Sequence, residues 1–203
     1  MLTRLSIEAA AAALRRGGVV VFPTETSYGV GCRAFDAEAV ARVIEAKGRP
    51  DGKPLPILLP SVKDLQRRRL ETPLIVLAEA FWPGPLTLVV PAFPGLPPPI
   101  TADTNMVGVR MSAHPLARAL VEALGEPLVA TSANRSGQPA AASAAECDAA
   151  GLVGVDGLVD GGEVSGTAST VVGLDRGELK VFREGPIGLD RLEAVWKQAR
   201  AFD

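Results

Sequence analysis

Five short runs in this sequence gather residue types that chemistry needs. The first, Pro23-Thr24-Glu25-Thr26-Ser27-Tyr28-Gly29-Val30-Gly31, directly follows the apolar run Val19 to Phe22. Hydroxyls, a carboxylate and two glycines would put side-chain oxygens and backbone N–H groups into a cleft at a strand end, where open α/β sheets bind ligands. The alternative is an ordinary polar turn. Neither a P-loop nor a GxGxxG fingerprint is present there. The second run is Lys47-Gly48-Arg49 with Lys53 close behind. Helix polarity alone accounts for a cation at Lys47. Arg49 and Lys53, in a Gly/Pro-rich loop, are placed to clamp a polyphosphate, whereas Arg67, Arg68 and Arg69 read as a solvated helix face. Thr131-Ser132-Ala133-Asn134-Arg135-Ser136-Gly137 suits phosphate or ribose contacts, or a capped loop. Ser169-Thr170 opens a strand and Arg183-Glu184-Gly185-Pro186 closes one.

These runs do not assemble a covalent catalyst. His114, the single histidine, precedes Pro115 and reads as a helix start rather than a general base. Cys32 and Cys147 sit in no CxxC pair and, Arg33 apart, lack basic neighbours that would stabilise a thiolate. Asp156, Asp160 and Glu163 lie among glycines without calcium-loop spacing. What remains is a cleft of hydroxyls, amides and cations, suited to positioning and charge stabilisation on phosphates, with Mg²⁺ brought by the nucleotide.

The elements that must position these groups are short, because 17 prolines and 21 glycines punctuate the chain. Ser6 is expected to cap a helix through Arg16, and Asp36 a second one ending at Gly48. Val19 to Phe22 reads as a buried strand. Further strands are expected at Leu55–Leu59, Leu86–Val90, Val107–Met111, Leu128–Thr131, Leu158–Val159, Ser169–Leu174 and Leu179–Phe182. Helices are expected after Ser61, over Leu74–Trp82 and Pro115–Leu124, and briefly after Ser143, where Glu146 gives capping-box spacing. A closing helix would put Leu189, Leu192, Val195, Trp196 and Ala199 on one face. The irregular alternation implies a mixed rather than purely parallel sheet.

The chain has 203 residues, 47% of them hydrophobic and 22% charged, which excludes a disordered chain. Its length fits one domain spanning 1–203. A net charge of −2 argues against a protein that coats nucleic acid by bulk charge. Two cysteines build no disulfide framework, no apolar run reaches a membrane span, and the start lacks signal-peptide order. A cytoplasmic protein with no membrane association is expected.

Seven motifs together resemble the YrdC-like family: Phe22 to Gly31, Lys47-Gly48-Arg49-Pro50, Trp82-Pro83-Gly84-Pro85-Leu86-Thr87, Val109-Arg110, Thr131 to Asn134 with Ser136-Gly137, Ser169-Thr170-Val171-Val172 and Arg183-Glu184-Gly185. They occur in the family's order between about Ser6 and Gly188. The resemblance implies a twisted mixed α/β sheet flanked by helices around a large concave basic cavity. It implies threonylcarbamoyl-AMP synthesis from L-threonine, bicarbonate or CO₂ and ATP, with pyrophosphate released and Mg²⁺ carried by ATP. The product would feed a downstream tRNA threonylcarbamoyl transferase making threonylcarbamoyladenosine, with at most weak contact to tRNA. By position, Thr26, Arg110 and Ser169 would hold threonine, with Thr24 and Tyr28 shaping that pocket. Lys47, Arg49, Lys53, Ser132, Asn134 and Arg183 would hold the nucleotide, Lys47 and Arg49 supplying charge stabilisation. Leu58 stands where some relatives have a histidine that contacts threonine, Ser112 where a proline is usual, and Ala168 where Glu or Pro is commoner.

Two other readings compete. A nucleic-acid-binding module could grip RNA in a basic cleft, but an aromatic content of 4% leaves few stacking platforms. Carbamoyl transfer, as in hydrogenase-maturation proteins with a YrdC-like domain, goes with much longer chains carrying zinc fingers.

Overall fold

A computed structural model describes residues 1–48, 53–67 and 70–200. The chain opens with α1 (Ile7–Arg15), capped by Ser6 Oγ accepting from Ala9 N–H. A β-hairpin follows, β1 (Val20–Pro23) and β2 (Tyr28–Gly31), then α2 (Ala37–Lys47) with Asp36 as N-cap. Gly48 ends α2 at φ +55°, a left-handed conformation that costs glycine no Cβ clash. The middle of the chain runs β3 (Ile57–Leu58), α3 (Lys63–Gln66), α4 (Thr72–Phe81), β4 (Leu86–Pro91), α5 (Pro98–Thr101), β5 (Met106–Arg110) and α6 (Pro115–Leu124). It closes with β6 (Leu128–Val129), β7 (Thr131–Ser132), α7 (Ala144–Ala149), β8 (Gly157–Leu158), β9 (Thr170–Asp175), β10 (Glu178–Arg183) and α8 (Leu189–Arg200). No described helix is long and apolar enough to cross a membrane.

The strands form two mixed sheets where one was expected. Four strands run in the order β7-β2-β1-β8 and six in the order β10-β9-β4-β5-β3-β6. Both contain parallel and antiparallel pairs. The Leu128–Thr131 strand expected from sequence is divided between them: β6 pairs with β3, and β7 pairs with β2. Ala130 is the joint, its N–H donating to Pro56 C=O at 2.9 Å. A change of sheet leaves no mark on an apolar run. The hairpin strand β2 likewise carries no strand signal in the sequence, because two of its four residues are glycine. Gly31 must be glycine: a Cβ there would stand 1.6 Å from the carbonyl oxygen of Val129.

Strand β1 is buried on both faces, as its uninterrupted apolar run requires. Val19 and Val21 enter a large core with residues of α2, α4 and α8. Val20 and Phe22 enter a smaller one formed with α1 and α6. On α8, Leu192, Trp196 and Ala199 are buried, but Leu189 is 50% exposed at the first turn and leaves the expected stripe. The six-stranded sheet alternates with period two. Leu86, Leu88 and Val90 of β4 and Val107 and Val109 of β5 point into the core. Thr87 and Val89, with Met106, Gly108 and Arg110, line a cavity on the opposite face.

Candidate functional site

That cavity has a volume of about 640 Å³. Its floor is the open face of the six-stranded sheet, and its rim carries residues of four of the five runs singled out in the sequence: Thr26 and Ser27, Thr131 and Ser132, Ser169, and Arg183. Pro56, Val89, Met106 and Val171 make one part apolar, while Thr26, Ser27, Thr87, Thr131, Ser132 and Ser169 bring hydroxyls. Among the described lining residues the charged side chains are Arg110 and Arg183, and none is acidic. Gly108 keeps the floor low, since a Cβ there would meet Thr87 Cγ2 at 3.1 Å.

Arg110 ends β5 and is 7% exposed. Its Nη1 donates to Glu25 Oε1 at 2.8 Å and to Thr26 Oγ1 at 3.0 Å, which uses both hydrogens on that nitrogen. Thr26 Oγ1 lies 2.9 Å from Thr24 Oγ1, and Thr24 Oγ1 lies 2.6 Å from Ser27 C=O. The carbonyl can only accept, so the Thr24 hydroxyl donates to it and the Thr26 hydroxyl donates to Thr24. Protons thus run in one direction from Arg110 into the hairpin turn. Among the described residues, Nη2 and Nε of Arg110 have no hydrogen-bond acceptor. Burial pulls the Arg110 pKa below its ordinary value; Glu25 opposes this and the charge of Arg183 adds to it. A buried guanidinium with one edge satisfied and the other bare is built to receive an anion.

Arg183 ends β10 and is differently held. Its Nε donates to Ser169 C=O and its Nη2 to Ser169 Oγ, both at 3.0 Å. Ser169 Oγ in turn lies 2.8 Å from Thr87 Oγ1. Desolvation lowers the Arg183 pKa, with no carboxylate beside it to restore the charged form.

The structure brings together Thr26, Arg110, Ser132, Ser169 and Arg183 as cavity-lining residues. It sets four others behind the walls. Thr24 is buried inside the hairpin turn. Tyr28 is fully buried and faces away, its hydroxyl donating to Gly162 C=O at 2.8 Å and accepting from Gly161 N–H at 3.0 Å. Lys47, expected on the nucleotide, is 3% exposed. Its ammonium donates to the carbonyls of Ser132 and Asn134, the latter at 2.8 Å. Asn134 donates to the carbonyls of Arg135 and Gln138. Cation and carboxamide therefore hold the Thr131–Asn134 segment in shape from behind, because a buried ammonium must find acceptors within the protein. Lys53 is exposed beside Pro54, which lines the cavity. Arg49 lies outside the described residues, as do Arg68 and Arg69.

Three contributors have no role assigned from the sequence. Thr87 couples to Ser169 across strands paired in register (Thr87 opposite Val171). Glu25 holds Arg110. Ser165 donates to the carbonyls of Glu25 and Thr26, fastening the 160–168 segment to the turn. Each contact spans at least 82 residues of chain, so no local pattern signals it. Leu58 and Ala168 line the cavity. Ser112 is buried and donates to Glu25 Oε2. Both cysteines are buried, with their thiols pushed up to about 12 chiefly by desolvation, which leaves them inert near neutral pH.

Two mixed sheets and a large cavity lined by arginines and hydroxyls define an α/β domain of mixed-sheet architecture. Sequence comparison makes this specific: the chain belongs to the Sua5/YciO/YrdC family, whose model, described as "Telomere recombination", matches residues 12–185. A threonylcarbamoyl-AMP synthase of Pyrococcus abyssi is 41% identical over 96% of this chain and 58% of its own length. One from Bacillus subtilis is 42% identical over 93% of this chain and 56% of its own. The crystal structure of P. abyssi Sua5 complexed with L-threonine superposes with a TM-score of 0.88 at 39% identity, covering 95% of this chain and 59% of that one. The chain thus spans a little over half the length of these relatives.

Proposed function

We propose that this chain condenses L-threonine, bicarbonate or CO₂ and ATP into threonylcarbamoyl-AMP and pyrophosphate, for threonylcarbamoyladenosine in tRNA. The observation that carries the reading is the bare edge of Arg110, buried in the cavity wall beside Thr26. Two N–H groups in a fixed fork match a carboxylate bidentately, and the solved relative complexed with L-threonine supports an amino acid as its bearer. Thr26 and Ser169 would contact the rest of that substrate.

The amine of threonine, once neutral, takes up CO₂ to form a carbamate, losing one proton. A carbamate oxygen then attacks the α-phosphorus of ATP, and the bond from that phosphorus to the bridging oxygen of pyrophosphate breaks. Such a step needs alignment and charge stabilisation rather than a covalent catalyst. Ser132 and Arg183 would meet the nucleotide, with Lys53 and Arg49 completing the cationic side. Lys47 and Asn134 serve by fixing Ser132. Mg²⁺ would arrive as part of the ATP substrate: no carboxylate lines the described cavity wall, and no described cluster of three His, Cys, Asp or Glu offers a cage. Relatives named threonylcarbamoyl-AMP synthase support the same activity.

The test is pyrophosphate release in mixtures of MgATP, bicarbonate and amino acids. Release is expected only when L-threonine and bicarbonate are both present, because the nucleophile is the carbamate. Equal release with serine, or without bicarbonate, overturns the reading.

A further inference from the structure

We infer that Glu25, braced by Ser112, is a positioning residue that fixes the angle at which Arg110 presents its free edge to a carboxylate. This rests on the threonine reading of the cavity given above. Glu25 does not line the cavity itself, yet both of its carboxylate oxygens are committed. Oε1 accepts from Arg110 Nη1 at 2.8 Å. Oε2 accepts from the Ser112 hydroxyl and from Ala113 N–H, the latter at 3.1 Å. The backbone carbonyl of Glu25 is held in addition by Ser165 Oγ at 2.9 Å. A carboxylate anchored at both oxygens and at its own backbone has one orientation, and Arg110 Nη1 inherits it.

Arginine side chains otherwise rotate about several bonds, and bidentate recognition depends on the plane of the fork. Thr26 Oγ1, which takes the second hydrogen of Nη1, is itself fixed by donating to Thr24. Nη1 is therefore held in the plane from two sides, and that plane sets where Nη2 and Nε point. Ser112 supplies its hydroxyl from two residues beyond Arg110 on the same strand exit. It also accepts from His114 N–H at 3.2 Å, which ties the brace to the start of α6.

Charge and geometry make opposite demands, so two substitutions separate them. Glu25→Asp keeps the charge but is one methylene too short to reach Arg110 and Ala113 together. Glu25→Gln loses the charge and turns an amide NH₂ toward Ala113 N–H, but it keeps the length and can still accept from Arg110 through its amide oxygen. If Glu25 works by position, KM for threonine rises roughly tenfold in Glu25→Asp and less in Glu25→Gln, with kcat within about threefold, because an orienting loss weakens ground and transition states alike. Ser112→Ala, which removes one hydroxyl and should keep the fold intact as checked by thermal melt, is expected to raise it about threefold. Calorimetric affinity for ATP should stay unchanged in all three.

A second readout does not depend on activity. In ¹⁵N-arginine NMR of the ligand-free protein, the Arg110 Nη signals, assigned with Arg110→Lys, should be resolved by hindered rotation and should coalesce in Glu25→Asp. Resolved signals in Glu25→Asp, coalesced signals in the unsubstituted protein, or a threonine KM that follows charge (Gln worse than Asp) would each overturn the assignment. Failure of the unsubstituted protein to bind threonine would instead overturn the proposed function, leaving the NMR comparison to decide whether Glu25 orients Arg110.

Discussion

Arg110 and Arg183 enter one cavity from two strands of the same sheet and are prepared in opposite ways. Arg110 is buried and paired with Glu25, and its Nη2 and Nε lack an acceptor among the described residues. Arg183 is exposed and, among the described residues, is held by the neutral carbonyl and hydroxyl of Ser169. A neutralised arginine contributes geometry and little net field. An uncompensated one contributes field, which reaches a mobile, highly charged polyphosphate without demanding one angle. Lys47 marks the limit of the series, a cation whose donors are turned onto protein carbonyls. The sign of a side chain therefore says less about its role than the partners it already has.

The strongest way to break this comparison is Arg110→Ala, which should weaken threonine binding about 30- to 150-fold, the equivalent of roughly 2–3 kcal/mol, while leaving ATP affinity nearly unchanged. Arg110→Lys should not rescue it, since an ammonium lacks the fork. Calorimetric titration of both ligands decides; a loss of ATP affinity would invert the assignment of the two arginines.

Lys47→Met keeps the apolar stem and leaves carbonyl oxygens of the Ser132–Asn134 segment without their donor. It should destabilise the fold by about 2 kcal/mol, lowering Tm by roughly 4–8 °C. A Tm unchanged beside a large loss of ATP affinity would move Lys47 from the wall into the site.

Arg183→Ala should weaken ATP about tenfold, roughly 1.4 kcal/mol, and change threonine affinity much less, through the freed Ser169 alone. Because Arg183 is exposed, the salt dependence of ATP binding should flatten in the variant, whereas threonine binding, resting on a buried neutral pair, should vary little with KCl. Equal salt slopes for the two ligands would remove the distinction between them.

The smallest effect concerns His114, which sits beside Glu25's brace at the start of α6. Its Nδ1 accepts from Leu116 N–H at 3.2 Å, and burial lowers its pKa below the ordinary value, against the pull of Glu25. The unfolded chain then takes up a proton at a higher pH than the folded one. Stability is full above about pH 6.5 and falls as pH drops from there through the lowered folded pKa. A Tm decline of about 1–2 °C over that window should shrink in His114→Asn, which caps without titrating. An identical decline in the variant would assign it to carboxylates.

Much of this could be read before any coordinates. Ser6, Asp36 and Ser143 cap helices where their spacing said they would, because a cap bond is closed within three residues. The strands expected at Leu86–Val90 and Val107–Met111 form as β4 and β5, each shifted by no more than a residue at its ends. The misplacements share one cause: Tyr28–Gly31 was lost because glycines chosen for close backbone approach look like a loop, and the sheet change at Ala130 because pairing partners lie far away in sequence.

The sequence by itself determined the inventory: which runs carry hydroxyls and cations and, through seven ordered motifs, which family the chain resembles. Only the tertiary structure decided allegiance among those groups. Lys47 and Arg110 are both cations beside polar runs, but one meets carbonyls 85 and 87 residues away and the other a carboxylate 85 residues away. Whether a buried charge is spent on the protein or kept for a ligand depends on which acceptors the fold brings within about 3 Å, a distance that chain spacing does not encode.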